Sequence, residues 1–452
     1  MLLRHTKCAL VTLALVSLSL TGYGQSSIEK HLHEDYTANV SQEFSDHATP
    51  SELRQYIKTA LLNNAGLHAA FNRWKASLER ITQATALSDP ELSWMYFIEE
   101  VETRTGPQNF RVSLSQKIPW KGKRSHKGHL AEARAESLWW QVESERLEII
   151  REVKSRFYDY AYLAQEIRIV KENLKLLKSL EPIIQRQVQF GASQSDLIRL
   201  QLEIGKLEND AARLEGIRPV SSARLKALTN ERGSDPLPWP KPLEHESRSL
   251  SLETLRKQIA KLNPDLHELQ SRKEQSHAHA EHARLERYPD FTVGLTYMNT
   301  RDADSSDFGG AIPAFTPSGS GDDPVAVSVG INIPIWRKKY NAAEKEARYH
   351  GASVSKQLHQ KENDLTTELE MAWYELEDAD RQIRLYKDTL IPRAKQSVEL
   401  TEVAYETGKS GILDVMNSLR DVLTFELSYW RYVSRYQQAL ASIDALTGGE
   451  LQ

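Results

Sequence analysis

Cysteine is all but missing: the 452 residues contain one, Cys8, and it precedes an apolar run at the extreme N-terminus. That excludes a disulfide framework and a thiolate zinc site. Beyond residue 24 no apolar run approaches the ~18 residues that a membrane-crossing helix needs. Net charge is also scant, at -4 with 27% charged residues, which argues against a nucleic-acid binder with its basic stripe. No nucleophile–base pair, glycine-rich phosphate loop or His-x-x-x-His pair is found, so no catalysis and no cofactor are expected. Five methionines, Met1 among them, are too few for a copper relay.

The apolar run that does exist, Ala9 to Leu20, follows Arg4, His5 and Lys7 and precedes Gly22 and Gly24. This is the pattern of a secretory signal over residues 1–24, so Cys8 is expected to leave with it. Residues 25–50 are polar and weakly patterned and read as an N-terminal extension. A first structural unit is expected over 51–232, a Pro-rich linker over 233–249 and a second unit over 250–452.

Within the first unit, Phe110, Val112, Leu114 and Ile118 alternate with Arg111, Ser113, Ser115 and Lys117. Strict period-two alternation marks a strand with one apolar and one wet face. Val325 to Ile333 repeats it in the second unit. Partner strands are expected before each, giving strands near 91–101, 109–118, 290–299 and 324–334. Pro90, Pro119, Pro289 and Pro334 bracket them at the passage into helical sequence. Helix-period patterns run from 51 to about Ser88, from about Lys123 to Gln189 and from Ser195 to Thr229. About 65 residues of helix make a rod of roughly 100 Å, and Pro182 is a candidate kink within it. In the second unit a rod of similar length is expected as far as Glu406. Gly191 and Gly408 turn the two rods back, and Asn263-Pro264-Asp265-Leu266-His267 answers Asn64-Ala65-Gly66-Leu67-His68.

Strands of about ten residues suit a tilted bilayer crossing, and Trp94, Tyr96, Phe110, Phe291 and Tyr297 lie near their ends as interfacial aromatics do. Two hairpins alone would leave sheet edges unpaired in lipid, which is forbidden because each orphaned backbone group there costs several kcal/mol. Several chains must therefore pool their strands; three would give twelve. The expected fold is mostly α with a small transmembrane β part, a helix–β-hairpin–long helix–helix unit made twice. A soluble coiled-coil scaffold with two ordinary hairpins is the plainer alternative.

The duplicated strand units, the run Ser115-Gln116-Lys117-Ile118-Pro119-Trp120-Lys121-Gly122-Lys123-Arg124 and the stretch Tyr405 to Val415 resemble the TolC-like outer-membrane efflux family. The likeness spans about 50–450, with Phe190 to Leu197 as the first-half counterpart of the latter stretch. It implies a homotrimer with a twelve-stranded barrel in outer-membrane lipid and a long periplasmic α-helical barrel. It implies, as partners, a periplasmic adaptor and an inner-membrane RND-type pump, with no nucleic acid. The Ile-Pro-Trp-x-Gly-Lys-Arg segment is most similar to the heavy-metal exporter branch, the CzcC- and CusC-like proteins. An alternative inside the same resemblance is the duct of a type I protein secretion system.

In that family the rod turns form the constricted inner tip. The resemblance therefore makes Asp196 and Asp414 candidates for a ring of six carboxylates in a trimer, which would favour cations. Either acid can equally cap or charge the first turn of its helix. Ser410 and Asn417 stand where the family often has an arginine and a second acid, leaving Tyr405, Lys409 and Arg199 as candidate latch residues. His277, His279 and His282, with His31 and His33 in the extension, read as solvated, so no resident metal is expected. Asp302, Asp304, Asp307, Asp322 and Asp323 make the outer loop acidic, a composition that keeps it hydrated.

Overall fold

A computed structural model describes residues 51–190, 193–233, 235–303 and 318–449. The signal run, the 25–50 extension, Gly191, Asp304 and Asp307 lie outside the described residues. The first helical stretch is two helices rather than one, α1 (Ser51–Asn63) and α2 (Ala65–Thr85). Asn64 divides them: it is extended at φ -67° and ψ 120°, and its Oδ1 accepts from Leu67 N–H at 3.1 Å, capping α2. The stretch stops at Thr85 instead of reaching Ser88.

Strand β1 (Glu91–Val101) and strand β2 (Gln108–Ile118) form the first hairpin. Helix α3 (Lys123–Gln189) follows and runs through Pro182 without interruption. At 67 residues and ~1.5 Å each it spans about 100 Å. Helix α4 (Gln194–Thr229) returns beside it. Then α5 (Leu252–Leu262), α6 (Pro264–Leu285), β3 (Phe291–Thr300) and β4 (Val325–Ile331) repeat the order of the first half. Against an expected end near 334, the β4 ladder stops at Ile331, and Pro334, which has no N–H, falls in the connection to α7 (Arg337–Leu385).

The second rod is not continuous to Glu406. A π-helical turn at Tyr386–Leu390 separates α7 from α8 (Ile391–Glu406). Pro392 is the cause: it offers no N–H to the turn before it and its ring crowds that turn's carbonyl, so the helix widens there. Helix α9 (Ile412–Leu446) completes the described chain.

The four strands form one antiparallel sheet in the order β1-β2-β3-β4. Its register sets apolar residues opposite one another across all four: Trp94 pairs with Val112, Val112 with Tyr297 and Tyr297 with Val325. The other face carries Ser113, Thr296 and Ala326, the first two hydrogen-bonded at 3.0 Å. Helix α3 is the hub of the rods, packing on α2, α4, α6 and α9. Trp74, Phe157, Tyr160, Leu369, Val433 and Tyr436 are buried in the shared core.

Residues 235–251, expected as a linker, hold no regular element but pack as a strap on the helices. Leu237 and Leu243 are buried, Trp239 stacks on Tyr160 at 4.8 Å, and Arg218 lies over Trp239 at 4.1 Å. Tyr436 Oη holds the far end, accepting from Arg248 N–H at 2.9 Å and donating to the Glu246 carbonyl at 3.1 Å.

Candidate functional site

Two places concentrate the candidate residues: the tip where the rods turn, and the level where strands become helices. At the second-half turn, Gly408 has φ +68°, a conformation that glycine adopts without a Cβ clash. Lys409 N–H reaches back to the Ala404 carbonyl at 2.8 Å, satisfying an orphan acceptor at the end of α8. The side chain of Asp414 then folds onto the start of α9, accepting from Ser410 Oγ at 2.6 Å and from Gly411 N–H at 3.3 Å. Asp414 is thus a helix cap in this chain, although it remains exposed.

Asp196 sits in the first turn of α4, partly buried, with no side-chain hydrogen bond among the described residues. Tyr405 Oη donates to Gln187 Oε1, tying the end of α8 to the end of α3. Burial pushes the Tyr405 phenol above its ordinary value, and the nearby Asp196 carboxylate adds to that rise, against the Gln187 hydrogen bond. The structure therefore brings Tyr405 and Asp196 together across the two halves. Arg199, Lys409 and Asn417 are exposed, and their side chains make no hydrogen bond or ion pair among the described residues.

Sequence reasoning does not single out Gln187, nor the Glu203–Arg420 ion pair at 2.9 Å that joins α4 to α9 just above the tip. Each depends on a partner in the other half, which no local pattern reports. The tip also exposes apolar side chains at the end of α3, with Phe190 just past its last residue at 86% and Ile183 seven residues before it. That spacing is one stripe of a helix seeking a neighbour.

At the strand-to-helix level, Pro90 directly precedes β1, Pro119 directly follows β2, Pro289 lies just before β3 and Pro334 just after β4. Asp290 organises this level. Its carboxylate meets Lys123 at 2.9 Å and Lys117 at 3.1 Å, and it accepts from Trp120 N–H at 3.1 Å. Burial by itself would raise the Asp290 carboxyl, but these hydrogen bonds and the Lys123 charge outweigh it and hold it below the usual aspartate range.

The outer loop acids divide. Asp323 is engaged at the end of β3, accepting from Thr300 N–H at 2.8 Å and from Tyr297 Oη. Asp302 lies against Gly321, whose lack of a Cβ leaves room for that carboxylate. On α6, His277 and His279 are exposed; burial pulls the imidazole of His282 below its ordinary value, with Glu286 opposing. Among the described residues no group of three metal-ligating side chains occurs, and no helix is long and apolar enough to cross a membrane.

Residues 255–449 match the family model described as outer membrane efflux protein. The cobalt-zinc-cadmium resistance protein CzcC of Cupriavidus metallidurans is 22% identical over 412 residues, covering 89% of this chain and 91% of that one. The CusC structure superposes with a TM-score of 0.73 at 17% identity, over 90% of this chain and 93% of CusC. The outer membrane protein VceC of Vibrio cholerae does so with 0.73 at 16% identity, over 89% and 97%.

Proposed function

We propose that the chain is a member of the outer membrane efflux protein family, whose model matches residues 255–449, and that it is the outer-membrane channel of a tripartite efflux system, passing heavy-metal cations outward. It is a channel protein of the outer membrane with a large periplasmic helical part, not an enzyme. The observation that carries the reading is the four-stranded sheet with open edges at β1 and β4 and one largely apolar face, interrupted by Gln116 opposite Val293 and by Asn299 opposite Phe110. Such a sheet is tolerable in lipid only when its edges are paired by other copies. Three copies, contributing three times four strands, give a closed barrel of twelve. The exposed stripes on the rods then become contacts between subunits, and the wet strand face lines the bore.

A periplasmic adaptor and an inner-membrane RND-type pump supply energy and cargo to this passive duct. Cobalt, zinc and cadmium are the preferred cargo because the chain aligns with CzcC along most of both lengths. Outer-membrane membership removes the soluble-scaffold reading. Deleting the gene and measuring sensitivity to these metals and to a drug panel tests the rest. Metal sensitivity alone supports the proposal; drug sensitivity alone, or loss of one secreted protein, replaces the cargo with organic toxins or a polypeptide.

A further inference from the structure

Exposed cations collect at the helix-side end of the sheet in both halves, and conduction makes no use of them. Ile118 pairs with Phe291, and Phe291 with Ile331, so the chain leaves β2 and β4 at one height. Just past that height stand Lys121 and Arg124 in one half and Arg337, Lys338 and Lys339 in the other, all exposed. None has an ion-pair partner among the described residues; Lys339 only overlies the Tyr340 ring at 5.7 Å. The neighbouring acids are largely taken: Asp290 by Lys117 and Lys123, Glu344 by Arg287 and Arg348. Asp89 and Glu91 at the start of β1 are the exposed remainder.

We propose that the segments Trp120–Arg124 and Ile335–Lys339 bind anionic glycerophospholipid headgroups in the leaflet that faces the helices. The inference rests on the outer-membrane channel reading. Its second support is the apolar surface beside the charges. Trp336 is 71% exposed next to exposed Ile333 and Ile335, and Trp120 stacks on Tyr288 at 5.4 Å and on Phe291 at 5.9 Å. Aromatic rings at this height sit among headgroups, and cations one step further reach the phosphates. A site for free phosphate would instead be enclosed and polar. The same arrangement made twice per chain gives a continuous collar in an assembled channel.

The test uses the purified full chain in detergent doped with phosphatidylglycerol, phosphatidylcholine or inorganic phosphate, read by thermal melting and native mass spectrometry. Phosphatidylglycerol is expected to raise the melting temperature and remain bound, with an effect that shrinks as salt rises. R337Q/K338Q/K339Q combined with K121Q/R124Q is expected to weaken that binding about tenfold or more. Equal effects of the two lipids, an equal effect of inorganic phosphate, or salt-insensitive stabilisation of the unaltered protein overturns the proposal, as does a variant that keeps its preference. A chain that stays dissolved without detergent overturns the channel reading itself, a different result from an assembled channel indifferent to lipid charge.

Discussion

Lys123 Nζ lies 2.9 Å from Asp290 Oδ1, joining the first turn of the longest helix to the residue before β3, 167 positions along the chain. Lys123 is nearly buried, with its side chain 6% exposed, and it also donates to the Tyr288 carbonyl at 2.9 Å. Truncating Lys123 removes the buried charge partner of Asp290, leaving it the more exposed Lys117 at 3.1 Å, and strands the Tyr288 carbonyl. Lys123→Met is therefore expected to destabilise the assembled protein by about 3 kcal/mol. Heat-dependent gel mobility of the detergent-solubilised protein checks it; an unchanged transition would show the pair to be incidental.

The same carboxylate gives a pH dependence with a definite sign. Asp290 is held below its ordinary value of 3.8, so it binds a proton less readily folded than unfolded. Its contribution is fully present above that ordinary value and is lost as pH falls through the lower folded one. Melting curves taken down that range should show a fall in stability that Asp290→Asn flattens. A variant that tracks the unaltered protein at every pH would remove Asp290 as the source.

Strands were legible in the sequence because period-two alternation is a local signal, and Phe110 to Ile118 needs no distant partner to declare its two faces. The ends were less so: Pro334 marks where a ladder cannot continue but not that β4 stops at Ile331. Pro392 lies inside an otherwise regular helical pattern, which hides a widened turn. Gly233 and the four prolines that follow it reported the lack of a helix, but the strap's docking under Tyr436 depends on residues near the other end of the chain. At the tip, the pattern offered two roles for Asp414; only the folded turn shows that Ser410 and Gly411 claim its carboxylate.

Asn263 repeats what Asn64 does, and more tightly. Its Oδ1 accepts from Asp265 N–H at 3.0 Å while its Nδ2 donates to the Leu446 carbonyl at 3.0 Å; Asn64 makes the matching bond to Leu228 at 3.3 Å. Each asparagine thus caps one helix and closes the end of another. Asn263→Ala removes a cap and strands a carbonyl, an expected loss of about 2–3 kcal/mol. Asn64→Ala should cost less, because Asn64 is more exposed. Thermal unfolding of both variants, side by side, would reveal the ordering; a reversed order would mean the two elbows are not equivalent.

Divalent-cation block should separate the two tip acids. Asp414 is occupied as a cap, whereas Asp196 has no side-chain partner among the described residues. In planar bilayers with cobalt added on the tip side, Asp196→Asn is expected to weaken block about tenfold, equivalent to ~1.4 kcal/mol. Asp414→Asn should act on stability of the α8–α9 turn instead. Tyr405→Phe, which removes the bond to Gln187, should raise resting conductance without changing block. Equal effects of the two acid variants on block would return Asp414 to the ring.

Orientation of the sheet is open to a direct test on neighbouring residues. Val327 pairs with Leu295 on the apolar face and is 74% exposed, while Ala326 pairs with Thr296 on the wet face. If the apolar face meets lipid, Val327→Lys carries an ammonium into hydrocarbon and costs about 2–4 kcal/mol per subunit near the mid-plane. Ala326→Lys points the same charge into water and should fold normally. Its expected signature is a fall in cation conductance, because three added positive charges, one per subunit, would line the bore. Membrane fractionation followed by bilayer recording reads both outcomes. Normal insertion of Val327→Lys together with failure of Ala326→Lys would turn the sheet inside out and take the barrel with it.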